Sequence, residues 1–497
     1  MYLLKRLSLL LIVFFISFNA QTTDHYYQTF DNNILGWATT AYGADFYVQD
    51  GLLHFQTDEP EDYIYLFPPI PATMDDFSIK IFGAEVQTEY ISSLIGRAGF
   101  KSMLGILINP DSLRLFYSNN IEDFYDADIT WLYDHPQPNE ISSLELKANV
   151  EGNNLTVSVY LNETLIHNGL IENVPDDLLY GQVVFGVFPE ERDNISFSLD
   201  AVQIDYNPFN ETSGNFVDNF NFDYSPWFRC GDWEHAAQAI SIGNGKLNFN
   251  YDQTEDSYFY VIAPVGAVRD FSMEIQSDNF RKNGESISRF FDMNTYVTLF
   301  FDEDVLHFGY LDGQQVYDPF IIAQTPVGGI DIQKVKFGIE GTPPILDLKG
   351  WVNDDLILTG SINNASENLG QGFLLFALER DNYYNFSVDQ ISITYDEFLT
   401  SINENISLLK KDFTLFQNYP NPFNPSTVIS YFIHAQGDVL LKAYDSLGKE
   451  VAVLVNDNQM PGYYSVQYNA ENLTSGVYFY RLQYGNNFIT KKFVVLR

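Results

Sequence analysis

The chain repeats itself. Short motifs recur in the same order at an offset of roughly 190 residues, and such self-similarity limits the fold before any single element is read. Phe30-Asp31-Asn32 leading to Gly36-Trp37 is answered by Phe220-Asn221 leading to Pro226-Trp227. Gly51-Leu52-Leu53-His54-Phe55 is answered by Gly245-Lys246-Leu247-Asn248-Phe249, and Asp76-Phe77-Ser78-Ile79 by Asp270-Phe271-Ser272-Met273. Val159-Tyr160-Leu161-Asn162 then matches Gly350-Trp351-Val352-Asn353. Both copies close alike, on Phe197-Ser198-Leu199-Asp200 to Tyr206 and on Phe386-Ser387-Val388-Asp389 to Tyr395. The order predicts two tandem domains, over 21–207 and 214–397.

Within each copy apolar residues alternate with polar ones. Leu155, Val157 and Val159 fall on one face of a strand, Thr156 and Ser158 on the other. Glu151-Gly152-Asn153-Asn154 supplies the turn between two such runs. Aromatic residues reach 16%, which strands favour, and no sustained helical period appears. The expected fold is all-β, with sandwiches built from many short strands. A single cysteine, Cys230, excludes an intramolecular disulfide framework and any cysteine-based zinc cluster.

Charge separates the modules. Against 26 Lys and Arg stand 66 Asp and Glu, a formal charge of −40. From Leu408 onward eight basic residues face six acidic ones, and the first 20 residues hold Lys5 and Arg6 without an acid. Residues 21–407 therefore carry −44. Such a surface repels phosphate, so nucleic acid is excluded as a partner. Lys5-Arg6, the apolar run Leu7–Phe18 and Ala20 predict a secretory signal peptide over 1–20. The run is too short to span ~30 Å of hydrocarbon, so no transmembrane span is expected in the mature chain.

The last module, 413–497, follows a linker at 398–412. It opens Gln417-Asn418-Tyr419-Pro420-Asn421-Pro422-Phe423-Asn424-Pro425, where three prolines fix φ and forbid a helix. Asp445-Ser446-Leu447-Gly448 reads as a turn, Ser475-Gly476-Val477-Tyr478 as a strand, and Lys491-Lys492-Phe493-Val494-Val495 as a basic-then-apolar end. In this order the motifs resemble the type A C-terminal sorting domain of the type IX secretion system of certain Gram-negative bacteria. The resemblance implies a small Ig-like β-sandwich, with Tyr419, Pro420, Asn421, Pro422, Asp445, Gly448, Gly476, Tyr478, Lys491 and Lys492 as the sorting motif. It also implies passage through periplasm and outer membrane, with the type IX machinery and its sortase-like peptidase as partners. The product is then secreted or held on the cell surface, cut from its tail at about Thr400 to Asp412.

The two copies resemble concanavalin A-like, laminin G-like jelly rolls, on the opening Phe…Trp, the Asp-Phe-Ser strand, the strand ending Tyr160-Leu161-Asn162, and the closing strands that run from Asp200 to Ile204-Asp205-Tyr206 and from Asp389 to Ile393-Thr394-Tyr395. That fold hosts both glycan-cleaving enzymes and pure binders. The alternating Glu-x-Asp-x-Glu of family-16-like glucanases is absent. Glu172, Asp176-Asp177, Glu190-Glu191 and Asp302-Glu303-Asp304 sit beside turn residues and read as solvated rims. No catalytic residue is assigned, and a non-enzyme is favoured over a glycan-cleaving enzyme with other carboxylates. The third reading is a structural surface or adhesion protein that binds protein.

Tyr160 and Trp351 occupy matched outward positions, where a ring stacks on a sugar or packs across strands. They are the candidate ligand-binding residues for glycan or another surface polymer. Asp200 and Asp389 precede the closing strands and are candidates for a structural Ca²⁺, or simply turn formers. Trp37 and Trp227 read as core plugs, Trp131 and Trp233 as loop residues, and Cys230 as a small buried thiol.

Overall fold

The computed structural model describes residues 24–496 except 30–36, 40–44, 50–51, 58–63, 84, 88–91, 110–111, 119–127, 135–140, 176–177, 189–194, 209–213, 222–225, 232–238, 283, 293, 314–318, 398–412, 416–417, 419–420, 434–436, 447, 460–461 and 486. The expected signal peptide (1–20) and linker (398–412), with Trp233, Tyr419 and Pro420, thus lie outside the described residues.

The chain is all-β, with two jelly-roll sandwiches and a small third one. In the first, one sheet runs in the order Asp24–Thr29, Ala201–Pro208, Thr73–Phe82, Ser143–Glu151, Asn154–Leu161, Thr164–Ile171. The facing sheet runs Ala38–Thr39, Ile64–Phe67, Tyr180–Phe188, Ser92–Ala98, Met103–Asn109, Ser112–Ser118, Asp128–Asp134. Trp131 therefore stands in a strand, not in the loop expected for it. Alternation is what buries the core between the sheets: Leu155, Val157 and Val159 are fully enclosed while Thr156 points out.

The second sandwich has the same strand order. One sheet runs Asn215–Asp218, Gln390–Glu397, Val268–Gln276, Lys334–Glu340, Leu346–Val352, Asp355–Ile362. The other runs Phe228–Gly231, Lys246–Ile262, Phe373–Val388, Glu285–Asp292, Thr295–Asp302, Val305–Asp312, Phe320–Pro326. Trp37 and Trp227 are buried in their cores; the Trp37 Nε1 donates to Tyr26 Oη at 2.9 Å and the Trp227 Nε1 to Asp218 Oδ2 at 2.9 Å.

The paired sheets of each sandwich meet at one end. Tyr180 and Gly181 pair with Met74 and Thr73 in the first, and Val268 bridges Gly372 in the second. There the strands diverge, and carbonyls that face the gap need a donor. Arg97 supplies it, donating to Asp75 O (2.8 Å) and Leu178 O (2.7 Å). Arg289 does the same with Arg269 O and with Leu369 O (2.6 Å). Both guanidinium groups are buried, and burial pushes each down to about 9, still charged at neutral pH.

The sandwiches stack on each other. The sheet containing Ile64–Phe67 lays its outer face on the sheet containing Phe228–Gly231, and Tyr65, Phe67, Met103, Leu107 and Phe116 join Phe228, Tyr260, Phe290, Phe373 and Leu375 in one buried cluster. Phe67 meets Phe228 at 5.2 Å and Phe373 at 5.7 Å between ring centroids. Backbone closes the seam: Ala72 N donates to Pro264 O at 2.8 Å, and Gln182 Nε2 to Ala263 O at 3.2 Å. At Gly266, with φ +74°, a Cβ would stand 2.7 Å from the Ile70 carbonyl carbon, so this approach requires glycine. Residues 103–108 and 373–378 in these sheets are apolar on both faces, as strands covered on both sides tend to be. The result is four layers, two inner sheets face to face and an outer sheet at each end.

Candidate functional sites

In the third sandwich, Phe413–Leu415, Ser426–Ile433 and Gly462–Asn469 face Glu450–Gln459, Gly437–Asp445, Gly476–Tyr484 and Asn487–Val495. Its proline-rich opening cannot form a ladder of its own. It lies instead along the final strand. Asn421 accepts from Val494 N at 2.8 Å and donates to Lys492 O at 3.3 Å, and Phe423 bridges Val495. Pro422 separates these two contacts, and it spends no donor in doing so. Asp445 and Gly448 make the expected tight turn, with Gly448 N donating to Asp445 O at 3.0 Å and Gly448 at φ +82°.

Gly476 pairs with Val495, opening the strand that presents Tyr478. Tyr478 is buried, stacked on Phe493 at 5.4 Å, and its hydroxyl donates to Thr474 O at 3.0 Å. Phe493 also meets Phe423, Tyr468 and Tyr480. Burial holds the Tyr480 hydroxyl well above its ordinary value, so it stays protonated while it accepts from Asn418 N at 2.7 Å. Lys491 pairs in register with Tyr480 and is half-buried; Lys492 is exposed beside Phe479. The motif residues described are thus a latch that joins both ends of the module. Phe423, Tyr480 and Phe493, its aromatic centre, escaped sequence reasoning; their signal was an aromatic at each of three motifs.

The outer sheets of the large sandwiches present a second arrangement. On the first, Lys80 pairs with Glu145, Glu145 with Tyr160, and Tyr160 with Leu165. On the second, Glu274 pairs with Lys336, Lys336 with Trp351, and Trp351 with Leu356. Each row ends in a half-buried aromatic beside a leucine that is 50% exposed at 165 and 51% at 356. The charges exchange sides between the rows. Trp351 lies on the bare backbone of Gly338, where a Cβ would stand 3.2 Å from the indole, and Lys336 Nζ sits over the ring at 4.4 Å. Glu145 accepts from Ser78 Oγ at 2.8 Å, and Lys80 Nζ reaches Glu163 at 2.6 Å.

Asn162 and Asn353 hold these strand ends in matched turns. Asn162 accepts from Ser142 N (2.8 Å) and Ser143 N (3.0 Å), and Asn353 from Gln333 N (2.9 Å) and Lys334 N (3.2 Å). Both stand at φ +49°, a conformation asparagine tolerates.

The candidate calcium ligands do not gather. Asp389 is ion-paired with Lys246 at 2.9 Å, which puts an ammonium where a cation would sit. Asp200 is buried with its Cβ against Gly83. No group of three or more His, Cys, Asp or Glu that could hold a metal ion occurs among the described residues. Of the acidic runs, Asp302-Glu303-Asp304 forms an exposed turn with φ +46° and +63° at its last two residues, tied to Lys282 at 3.4 Å. Glu172 is exposed after its strand; 176–177 and 190–191 lie outside the described residues. Asp292 is pushed above the ordinary carboxylate value by burial, and it caps its own hairpin through Asn294 N at 2.8 Å.

Residues 417–496 match the family described as Secretion system C-terminal sorting domain. The segment is a type IX sorting domain; it implies interaction with that secretion machinery and delivery to the cell surface or beyond. No match was found among curated proteins. Among solved structures, similarity is found to the Crh5 transglycosylase in complex with NAG, at 12% identity, covering 37% of this chain and 83% of that one, with a TM-score of 0.29. A laminarinase from Flavobacterium sp. UMI-01 shows 12% identity over 36% of this chain and 98% of that one, TM-score 0.27. A legume lectin-like domain from Entamoeba histolytica shows 12% identity over 34% and 89%, TM-score 0.26. Likenesses this slight carry no argument, and fold class rests on strand order. No helix among the described residues is long and apolar enough to cross a membrane.

Proposed function

We propose that this is an exported, non-catalytic protein whose two large sandwiches, copies of one module over 21–207 and 214–397, hold an uncharged glycan or similar surface polymer on their outer sheets. The observation that carries the reading is the pair of matched rows ending in Tyr160–Leu165 and Trp351–Leu356. A ring with exposed apolar surface beside it suits the apolar face of a sugar, and the neighbouring Lys and Glu can bond its hydroxyls. The charge of −40 disfavours polyanionic polymers at long range. Placement of the described acidic clusters at turns supports the non-catalytic reading. The tail delivers the chain, and the exporter's sortase-like peptidase cuts within 398–412, leaving the sandwiches attached or released.

Two measurements test this. Tyr160→Ala and Trp351→Ala combined, which truncate the aromatic anchor of both rows, should weaken retention on an immobilised neutral β-glucan by about tenfold; unchanged retention sinks the sugar-stacking role. Deleting residues from Asp412 onward should leave the product inside the cell; normal amounts outside would refute delivery by the tail.

A further inference from the structure

The four-layer stack decides how many polymer chains the protein can hold at once, given the reading of the two outer sheets as glycan-holding. Each sandwich has two outer faces, and the seam around Phe67, Phe228 and Phe373 consumes one of each. The backbone bond from Ala72 to Pro264 and the glycine-only approach at Gly266 fix the sandwiches to each other at that seam. The faces that remain point in opposite directions. Three inter-sheet spacings of ~10 Å separate them, so the two rows stand roughly 30 Å apart, back to back. A single extended strand cannot lie on both rows without turning around the rim of the stack.

We infer that the protein is a rigid, two-sided cross-linker that bridges separate chains of an uncharged polysaccharide, one on the Tyr160–Leu165 row and one on the Trp351–Leu356 row. The inference follows from the back-to-back placement: two matched surfaces held on one body at a fixed and opposite orientation make a bivalent connector. The charge of −44 over residues 21–407 keeps unbridged copies apart, so assembly depends on the polymer and not on self-association.

The test mixes the secreted chain with a soluble neutral β-glucan and records light scattering across protein-to-polymer ratios, with retention on the same glucan immobilised. Bridging gives scattering that peaks at an intermediate ratio and falls on either side. Tyr160→Ala and Trp351→Ala, each removing one side, should cut that peak by about tenfold while retention falls by no more than about threefold. Leu165→Asp and Leu356→Asp repeat the comparison at exposed positions that bear no packing load. Retention with flat scattering, or single-side variants that scatter like the parent, overturns bridging and leaves binding standing. Absence of retention by the parent overturns the glycan reading and bridging with it. Equal scattering with alginate, a polyanion, overturns the uncharged class.

Discussion

The inner and outer sheets of each sandwich share one core and differ in what covers their second face. Met103-Leu104-Gly105-Ile106-Leu107-Ile108 and Phe373-Leu374-Leu375-Phe376-Ala377-Leu378 are apolar on both sides and sit in the middle of the stack. Leu346–Val352 alternates in burial throughout, and Asn154–Leu161 does so as far as Tyr160 except at the buried Ser158; each turns its polar face to solvent. The same fold therefore spends one surface on joining modules and keeps the other polar. Stability should be concentrated at the seam, and contact with other molecules at the ends.

That contrast can be broken most sharply from the middle. Phe67→Asp buries a lone carboxylate between Phe228 and Phe373, and should cost ~3–5 kcal/mol in denaturant unfolding. It should also split one unfolding transition into two, and a single unshifted transition would show that the seam does not couple the sandwiches. Next, Arg289→Met strips the donors from the Arg269 and Leu369 carbonyls and should cost about 3 kcal/mol, with Arg97→Met matching it in the other copy. Gly266→Val should cost ~1–3 kcal/mol through its positive φ and its clash with Ile70.

A smaller effect comes with pH. Burial raises the Asp75, Asp270 and Asp292 carboxyls above 3.8, so the folded form holds their protons more tightly than the unfolded chain. Their contribution is full below that value and is lost as pH rises through the folded-state pKa. His307 works in the opposite sense below about 6.5, because burial favours its neutral ring. Comparing Asp292→Asn with the parent isolates the carboxylate: the parent's Tm should gain on the variant's as pH falls from 7 towards 4.5, and parallel curves would refute the assignment. The smallest expected change is Trp351→Ala, which should shift stability by no more than ~1 kcal/mol, since its ring lies on an outer face.

Much of the fold was legible because alternation reports directly on one-sided burial. Leu155, Val157 and Val159 declare their face, and Trp37 and Trp227 declare a core by recurring at one place. The stacking of the sandwiches was written as a failure of alternation in the inner strands, a signal that short apolar runs share with other buried elements. Arg97 is the lone charge in Ser92–Ala98, and Arg289 stands at the matched position between Glu285 and Asp292, but only the geometry shows the parting sheets whose carbonyls need them. For the outer rows, the sequence placed Tyr160 and Trp351 outward; the exchange of Lys80–Glu145 for Glu274–Lys336 needed the cross-strand register. The proposed calcium pair shows the reverse limit: one aspartate per strand entry says nothing of the Lys246 that meets Asp389.

In the tail, Asn421 and Phe423 find their backbone partners, among the described residues, in residues 492–496. A chain that stopped short of residue 492 would therefore leave the proline-rich opening with no strand to lie along.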